Sequence, residues 1–184
     1  MRAARLQTLA EIESTVWREL AACTAEPAHA WRTAVLATAT PDGADARVVI
    51  LREADAKNST VTFFTDARSP KVAQIGAQPH GTLVLWSAAL QWQLRLRAAL
   101  AVQASGLAVS SRWATLAMTP AALDYLAPRP PGDAVAQPSP ERGSRSHFAV
   151  VTAQVASIDW LEVHADGHRR ARLAAGEPAR WLQP

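Results

Sequence analysis

The sequence predicts a mainly β protein, a closed or split β-barrel with a few peripheral helices. Three observations carry that expectation. Short β-prone runs recur along most of the chain, separated by turn signals with a local physical cause. Helical periodicity is confined to the N-terminal segment and two later stretches. No Gly-x-Gly-x-x-Gly or Walker pattern occurs, which argues against a Rossmann fold or an NTPase.

The elements follow in order. Leu6, Leu9, Ile12, Val16 and Leu20 recur at helical spacing with Glu11, Glu13, Arg18 and Glu19 between them, which predicts an amphipathic helix of about four turns ending before Pro27. Trp31 to Thr38 is apolar and β-prone. Pro41-Asp42-Gly43 then predicts a turn, since proline presets φ and glycine accepts positive φ. Arg47 to Leu51 is the return strand of that hairpin. Asp55 to Ser59 is a polar turn, and Val61 to Thr65 a third strand. Ser69-Pro70 predicts a helix start with serine as the cap, and Lys71 to Ile75 a short helix closed by Gly76 and Pro79.

Thr82 to Trp86 and Gln91 to Val102 read as two longer strands. In the second, Trp92, Leu94 and Leu96 face one way and Gln93, Arg95 and Arg97 the other. Ser110 to Leu126 predicts one or two helices, with Thr119-Pro120 as a cap and first turn. Pro128 to Pro140 is too proline-rich for a regular element. Phe148 to Val155, Ile158 to Val163 and a stretch around Arg169 to Leu173 supply the last strands, with a hairpin turn at Asp166-Gly167.

Composition narrows the function classes. The chain has 184 residues, 49% hydrophobic and 19% charged, which suits one soluble globular domain. Its net charge of +3 is carried almost wholly by arginine, Lys57 and Lys71 being the only lysines. Arginine suits bidentate phosphate recognition. The one basic run, His168-Arg-Arg-Ala-Arg172, is too short to argue for nucleic acid. Cys23 is the only cysteine, which excludes an internal disulfide and a cysteine-based metal site and fits a reducing cytoplasm. The five histidines are scattered, so no metal is expected. No apolar run reaches the ~20 residues of a membrane span, and the start of the chain lacks the apolar stretch of a signal peptide.

The chemistry concentrates between Ala46 and Leu96. Arg47-Val48-Val49-Ile50-Leu51-Arg52 is an apolar strand with a cation at each end. Phe63-Phe64-Thr65-Asp66 is followed by Ser69-Pro70-Lys71, placing hydroxyls, a helix start and a lysine within seven residues. Such a set can cradle a phosphate, because a helix start offers free N–H groups to an anion. Gln93 adds an amide on an alternating strand. Strands of this kind form a rigid wall for a flat ring with a phosphate tail.

These motifs, in this order, resemble the FMN-binding half of the pyridoxamine 5'-phosphate oxidase family. The resemblance implies an FMN-binding split β-barrel over residues 30–175, preceded by a helical segment over 1–27, all within one domain spanning 1–184. It implies a homodimer with FMN between the subunits. Arg47 through Arg52 would line the flavin and its ribityl chain. Phe64 and Thr65 would abut ring and phosphate, Ser69 and Lys71 would hold the phosphate, and Gln93 would reach the flavin edge from the other subunit. The family has Ser-Arg-Lys where this chain has Ser69-Pro70-Lys71, so Arg68 is the expected substitute for the missing cation.

Tyr125-Leu-Ala-Pro-Arg129-Pro130 resembles the oxidase pattern that holds the substrate phosphate, which makes Tyr125 and Arg129 substrate candidates. Helical spacing would set the two on one face. Gln137 and Ser139 resemble a Gln-Ser pair that touches FMN. Trp160 is expected to stack near the flavin, and Arg169 or Arg170 to fill a flavin or substrate arginine position, Arg170 being the flavin candidate. Two departures weigh against pyridoxamine phosphate as substrate. Asp133 stands where the oxidases have serine, and the terminal Arg-Leu-His signature is absent.

The expected function is therefore a flavin-dependent oxidoreductase acting on a small substrate, with FMN carrying the redox chemistry and no catalytic acid or base singled out. Two alternatives stay open at this point. One is a module that binds flavin or haem without turnover. The other is a basic β-protein for nucleic acid, which needs aromatics interleaved with cations on one face. The alternation of the Gln91–Val102 strand sends Trp92 away from Arg95 and Arg97, which weakens it.

Overall fold

A computed structural model describes residues 5–184; the first four residues of the expected N-terminal segment lie outside the described residues. Helix α1 (Leu9–Ala25) begins at a capping box. Thr8 Oγ1 accepts from the Glu11 N–H at 3.2 Å, and Glu11 Oε2 accepts from the Thr8 N–H at 2.9 Å. Backbone donation from Thr8 and Gln7 holds the Glu11 carboxyl below the usual range. Ile12, Val16 and Leu20 form the stripe that α1 buries, all at 0% exposure. Each such side chain contributes about 1.5–3 kcal/mol.

Eight strands follow: β1 (Thr33–Thr40), β2 (Gly43–Asp55), β3 (Thr60–Asp66), β4 (His80–Ser87), β5 (Trp92–Gln103), β6 (Phe148–Glu162), β7 (Arg169–Ala174) and β8 (Arg180–Leu182). Two further helices lie between them, α2 (Pro70–Ala77) after β3 and α3 (Leu107–Leu116) after β5. All the pairings are antiparallel, in the order β3-β2-β1-β4-β5-β6-β7-β8. A further pairing of β3 with β6 closes the first six into a barrel. Strand β6 runs beside β5 along its length and serves two further neighbours on its other edge. Phe148–Gln154 pairs with β3, while Ser157–Glu162 pairs with β7. The switch falls where the register against β5 shifts, between Arg97 and Ala98. This explains why two strands are expected from sequence where the chain forms one. The small polar break at Ala156-Ser157 is a bulge that re-aims the strand rather than ending it.

Inward side chains fill the barrel. Trp31, Leu36, Leu51, Phe63, Leu83, Leu94, Leu96 and Trp160 are all at 0% exposure. Gly81 on β4 is required by close approach, since a Cβ there would meet Leu100 Cδ1 at 2.8 Å and the Ala37 carbonyl oxygen at 2.9 Å. A second cluster, Val109, Leu116, Tyr125, Phe148 and Val150, seats α3 and a 3-10 turn (Pro120–Tyr125) against the β3–β6 seam. Among the described residues no helix is long and apolar enough to cross a membrane.

The structure adds one strand and shifts one expectation. Strand β8 escapes a sequence reading because it has three residues between prolines and gains its identity only by pairing with β7. The stretch after β5 forms α3 plus a 3-10 turn, so Tyr125 ends a turn and Arg129 lies beyond it in loop. The shared helical face expected for Tyr125 and Arg129 is therefore not formed.

Candidate functional site

The end of β3 and the start of α2 bring Thr65, Ser69 and Lys71 together. The Lys71 ammonium donates to Thr65 Oγ1 at 3.1 Å and to Ser69 Oγ at 3.0 Å. The two hydroxyls are 3.3 Å apart and both residues are buried. Ser69 occupies the N-cap position of α2 but makes no side-chain cap bond. Its hydroxyl turns toward Lys71 instead, which corrects the expectation of a simple serine cap. Pro70 is tolerated at the first helical turn because the N–H it lacks would have no intrahelical partner there.

Arg47 reaches the same corner from β2. Its Nη1 donates to Thr38 Oγ1 at 2.6 Å and to the Leu36 carbonyl at 3.4 Å. Its Nη2 donates to Gln74 Oε1 at 2.7 Å and to the Asp45 carboxylate. Burial, and then the charge of Arg47, push the Lys71 pKa down. Two cations thus share one partly buried corner with two hydroxyls, which is the chemistry of an anion site. The donor set fits a phosphate tail.

Arg68 does not join this corner. It donates to Asp66 Oδ1 at 3.0 Å through Nε and to Oδ2 at 2.6 Å through Nη2. It also donates to the carbonyls of Ala127, Pro128 and Arg129. Arg68 is a tie between β3 and the loop, and the cation lost at Pro70 is not restored by it. Burial acts against the Asp66 charge, but the donors of Arg68 outweigh it and hold the carboxyl low.

Alternation along β2 divides its expected lining. Val49 and Leu51 point into the core at 6% and 0% exposure, so only their backbone can meet a ligand. Val48 lies outward, 64% exposed, beside Val35 of β1. At the end of β2, Arg52 donates to Tyr125 Oη at 3.1 Å and lies 4.0 Å from Asp124 Oδ2. Its guanidinium sits 6.0 Å from the Phe64 ring centroid and 5.9 Å from that of Tyr125, and its buried Nε has no partner among the described residues. Phe64, Tyr125 and Phe148 meet edge to face around it. Tyr125 thus partners Arg52, while Arg129 and Asp133 are exposed.

Outward positions of the sheet form a third group. Trp86, Gln93, Leu161 and Arg170 occupy one cross-strand row. Asp159 accepts from Arg170 Nη2 at 2.8 Å and from Arg95 Nη2 at 2.6 Å. Trp160 faces the other way. At 0% exposure it packs edge to face on Trp92 and Trp181, which corrects its expected place near a flavin. Leu161 is the outward neighbour, overlooked because strand register decides it and the bulge at Ala156-Ser157 hides the register. Asp45 and Gln74 were also invisible to motif reading; each is ordinary until the hairpin and α2 bring it to Arg47. Gln137 and Ser139 lie in the exposed loop, where Ser139 Oγ accepts from the Glu141 N–H at 3.2 Å.

Residues 14–104 match the family model described as pyridoxamine 5'-phosphate oxidase, FMN-binding domain. No curated protein sequence matches the chain. A pyridoxamine 5'-phosphate oxidase-related FMN-binding protein from Nostoc punctiforme superposes with a TM-score of 0.76 at 22% identity, over 96% of this chain and 99% of that one. PhzG from Burkholderia lata, solved with tetrahydrophenazine-1-carboxylic acid, superposes with a TM-score of 0.74 at 18% identity over 100% of both chains. A haem-binding protein from Mycobacterium smegmatis gives 0.57 at 15% identity, over 94% of this chain and 60% of that one. Likenesses at these identities establish the shared fold.

Proposed function

Because the chain belongs to the pyridoxamine 5'-phosphate oxidase-like FMN-binding split-barrel family, we propose that it is an FMN-dependent oxidoreductase, active as a homodimer on a small cyclic substrate carrying one anionic group. The observation that carries this reading is the corner where Lys71 bridges Thr65 and Ser69 beside Arg47. These four residues would hold the FMN phosphate. FMN, when bound, supplies hydride and electron transfer, and the protein supplies binding and orientation.

A second copy would cover the outward face, where Val35, Val48 and Trp86 are 40%, 64% and 45% exposed. The row of Gln93, Leu161 and Arg170 would then meet the flavin edge of the other subunit. The Asp159 carboxylate ties Arg170 to Arg95 in the neighbouring row.

Arg52 and Tyr125 would hold the substrate. One largely buried guanidinium, its Nε without a partner among the described residues and walled by Phe64 and Tyr125, suits a carboxylate on a flat ring. Asp124, 4.0 Å from Arg52, opposes a phosphate dianion. The Burkholderia lata protein, which shares the fold, is held with such a ring carboxylic acid. The lone buried Cys23 suits a reducing cytoplasm.

The test is an absorbance spectrum after reconstitution with FMN, with the released cofactor identified by chromatography and the mass of the particle by light scattering. Flavin bands, FMN on release and a dimer mass are expected. FAD, a haem Soret band, or no cofactor after reconstitution would overturn the reading.

A further inference from the structure

We propose that Asp45 is a built-in counter-ion of the phosphate cradle that loosens FMN and keeps the flavin exchangeable. This rests on the FMN reading and concerns how tightly that same site holds its ligand. A guanidinium has five N–H donors. Four of Arg47's are engaged within the protein, two on Leu36 and Thr38 and two on Asp45 and Gln74. Only the Nε–H is left without a partner among the described residues. A phosphate that takes Arg47 in the two-pronged mode must therefore displace an existing acceptor.

Asp45 and Gln74 form the displaceable pair. Gln74 Nε2 donates to Asp45 Oδ2 at 3.0 Å, so the amide and carboxylate hold Arg47 jointly. Thr38 donates to Gln74 Oε1 at 2.7 Å and fixes the amide from the other side. Asp45 lies near the β1–β2 turn and its side chain is 46% exposed, so water can receive it when it swings away. Leu36 and Thr38, by contrast, are parts of the sheet and stay.

Charge makes the effect specific to the phosphate. Arg47 and Lys71 bring two positive charges to the corner, and Asp45 cancels one. Asp66 is already matched by Arg68, and Pro70 brings no charge. A phosphomonoester carries about −1.5 to −2 at neutral pH. The corner with Asp45 in place is thus undercharged for its proposed ligand, and the isosteric neutral residue corrects this.

The experiment compares FMN and riboflavin binding to the full chain, to Asp45→Asn and to Asp45→Glu, by quenching of flavin fluorescence. Asp45→Asn is expected to tighten FMN roughly five- to fiftyfold and to leave riboflavin, which has no phosphate, unchanged. Asp45→Glu keeps the charge and should stay near the wild type. Unchanged or weakened FMN binding in Asp45→Asn would overturn the proposal, as would equal tightening of riboflavin. Failure of the flavin reading is separable. In that case neither flavin binds any variant, yet inorganic phosphate still raises the melting temperature, more steeply in Asp45→Asn. A phosphate response equal in both proteins would remove the counter-ion role as well.

Discussion

Replacing Lys71 with methionine keeps the bulk of the side chain and removes its charge. The ammonium is fixed by Thr65 and Ser69, at 3.1 and 3.0 Å, so one of its three protons is left to point at a ligand. One charge-assisted bond contributes about 1.5–3 kcal/mol. With two protons already committed the lower half of that range applies, and at about 1.4 kcal/mol per factor of ten, FMN affinity should fall roughly ten- to fortyfold. The ligand-free protein should behave in the opposite sense. Burial, then Arg47, hold the Lys71 pKa below 10.5, so the folded state binds this proton less tightly than the unfolded chain does. Protonated Lys71 therefore detracts from stability at neutral pH, and that cost fades as pH rises through the folded pKa toward 10.5. Lys71→Met should leave the melting temperature of the ligand-free protein equal or higher at pH 7 while weakening FMN in fluorescence titration. Unchanged FMN affinity, or a melting temperature several degrees lower, would refute the reasoning and make Lys71 a structural residue.

Other expectations follow from particular contacts. Glu162 is buried between Arg5 and Arg169, at 2.6 and 2.9 Å, and their donors overcome its burial to hold the carboxyl low. Its contribution is complete above the unfolded value of 4.5 and is lost as pH falls through the lower folded value, so acid unfolding monitored by circular dichroism should begin below pH 4.5. Glu162→Gln should cost about 1.5–3 kcal/mol at pH 7 in urea denaturation and flatten that acid limb. Trp160→Ala should cost about 3–5 kcal/mol, and Trp160→Phe should lower the melting temperature while changing the FMN dissociation constant less than about twofold; a selective loss of FMN affinity would return Trp160 to the flavin site. Oxygen-dependent formation of pyridoxal phosphate by FMN-loaded protein should be weak, well below the ~1 s⁻¹ of an ordinary enzyme, because Asp124 stands 4.0 Å from Arg52 and opposes a phosphate dianion there; turnover at that level would show that its charge does not matter.

The barrel was largely legible because its strands alternate. Trp92, Leu94 and Leu96 are buried and Gln93, Arg95 and Arg97 are not, as period two requires. The Pro41-Asp42-Gly43 and Asp166-Gly167 turns announce their hairpins through backbone chemistry that any chain would share. What the local pattern could not supply is where a strand changes partner. Strand β6 passes from β3 to β7 at its bulge, and the parity shift there decides whether Trp160 or Leu161 faces outward. A tryptophan suits stacking on a ring, but the face it occupies decides whether it can.

The site divides along the same line. Thr65, Ser69 and Lys71 lie within seven residues, so short-range geometry was enough to bring them together. Arg47 needed the hairpin, and its meaning changed once Asp45 and Gln74 arrived from either side of it. Arg68 shows the converse. As a cation two residues from Pro70 it looked interchangeable with the missing arginine. Charge alone does not fill a site, however; a guanidinium acts where its fork finds acceptors. Asp66 and three consecutive loop carbonyls offer Arg68 a complete set on the far side of the strand end. By the resemblance, the family's third cation stands at the position of Pro70, and Arg68 does not replace it. Restoring it with Pro70→Arg should therefore tighten FMN in the same titration as Asp45→Asn, one by adding a cation and the other by removing an anion. If the phosphate feels only the net charge of the corner, the double variant should gain roughly the sum of the two free energies. If it feels Arg47's release, the gain from Asp45→Asn should shrink once a new arginine already grips the phosphate.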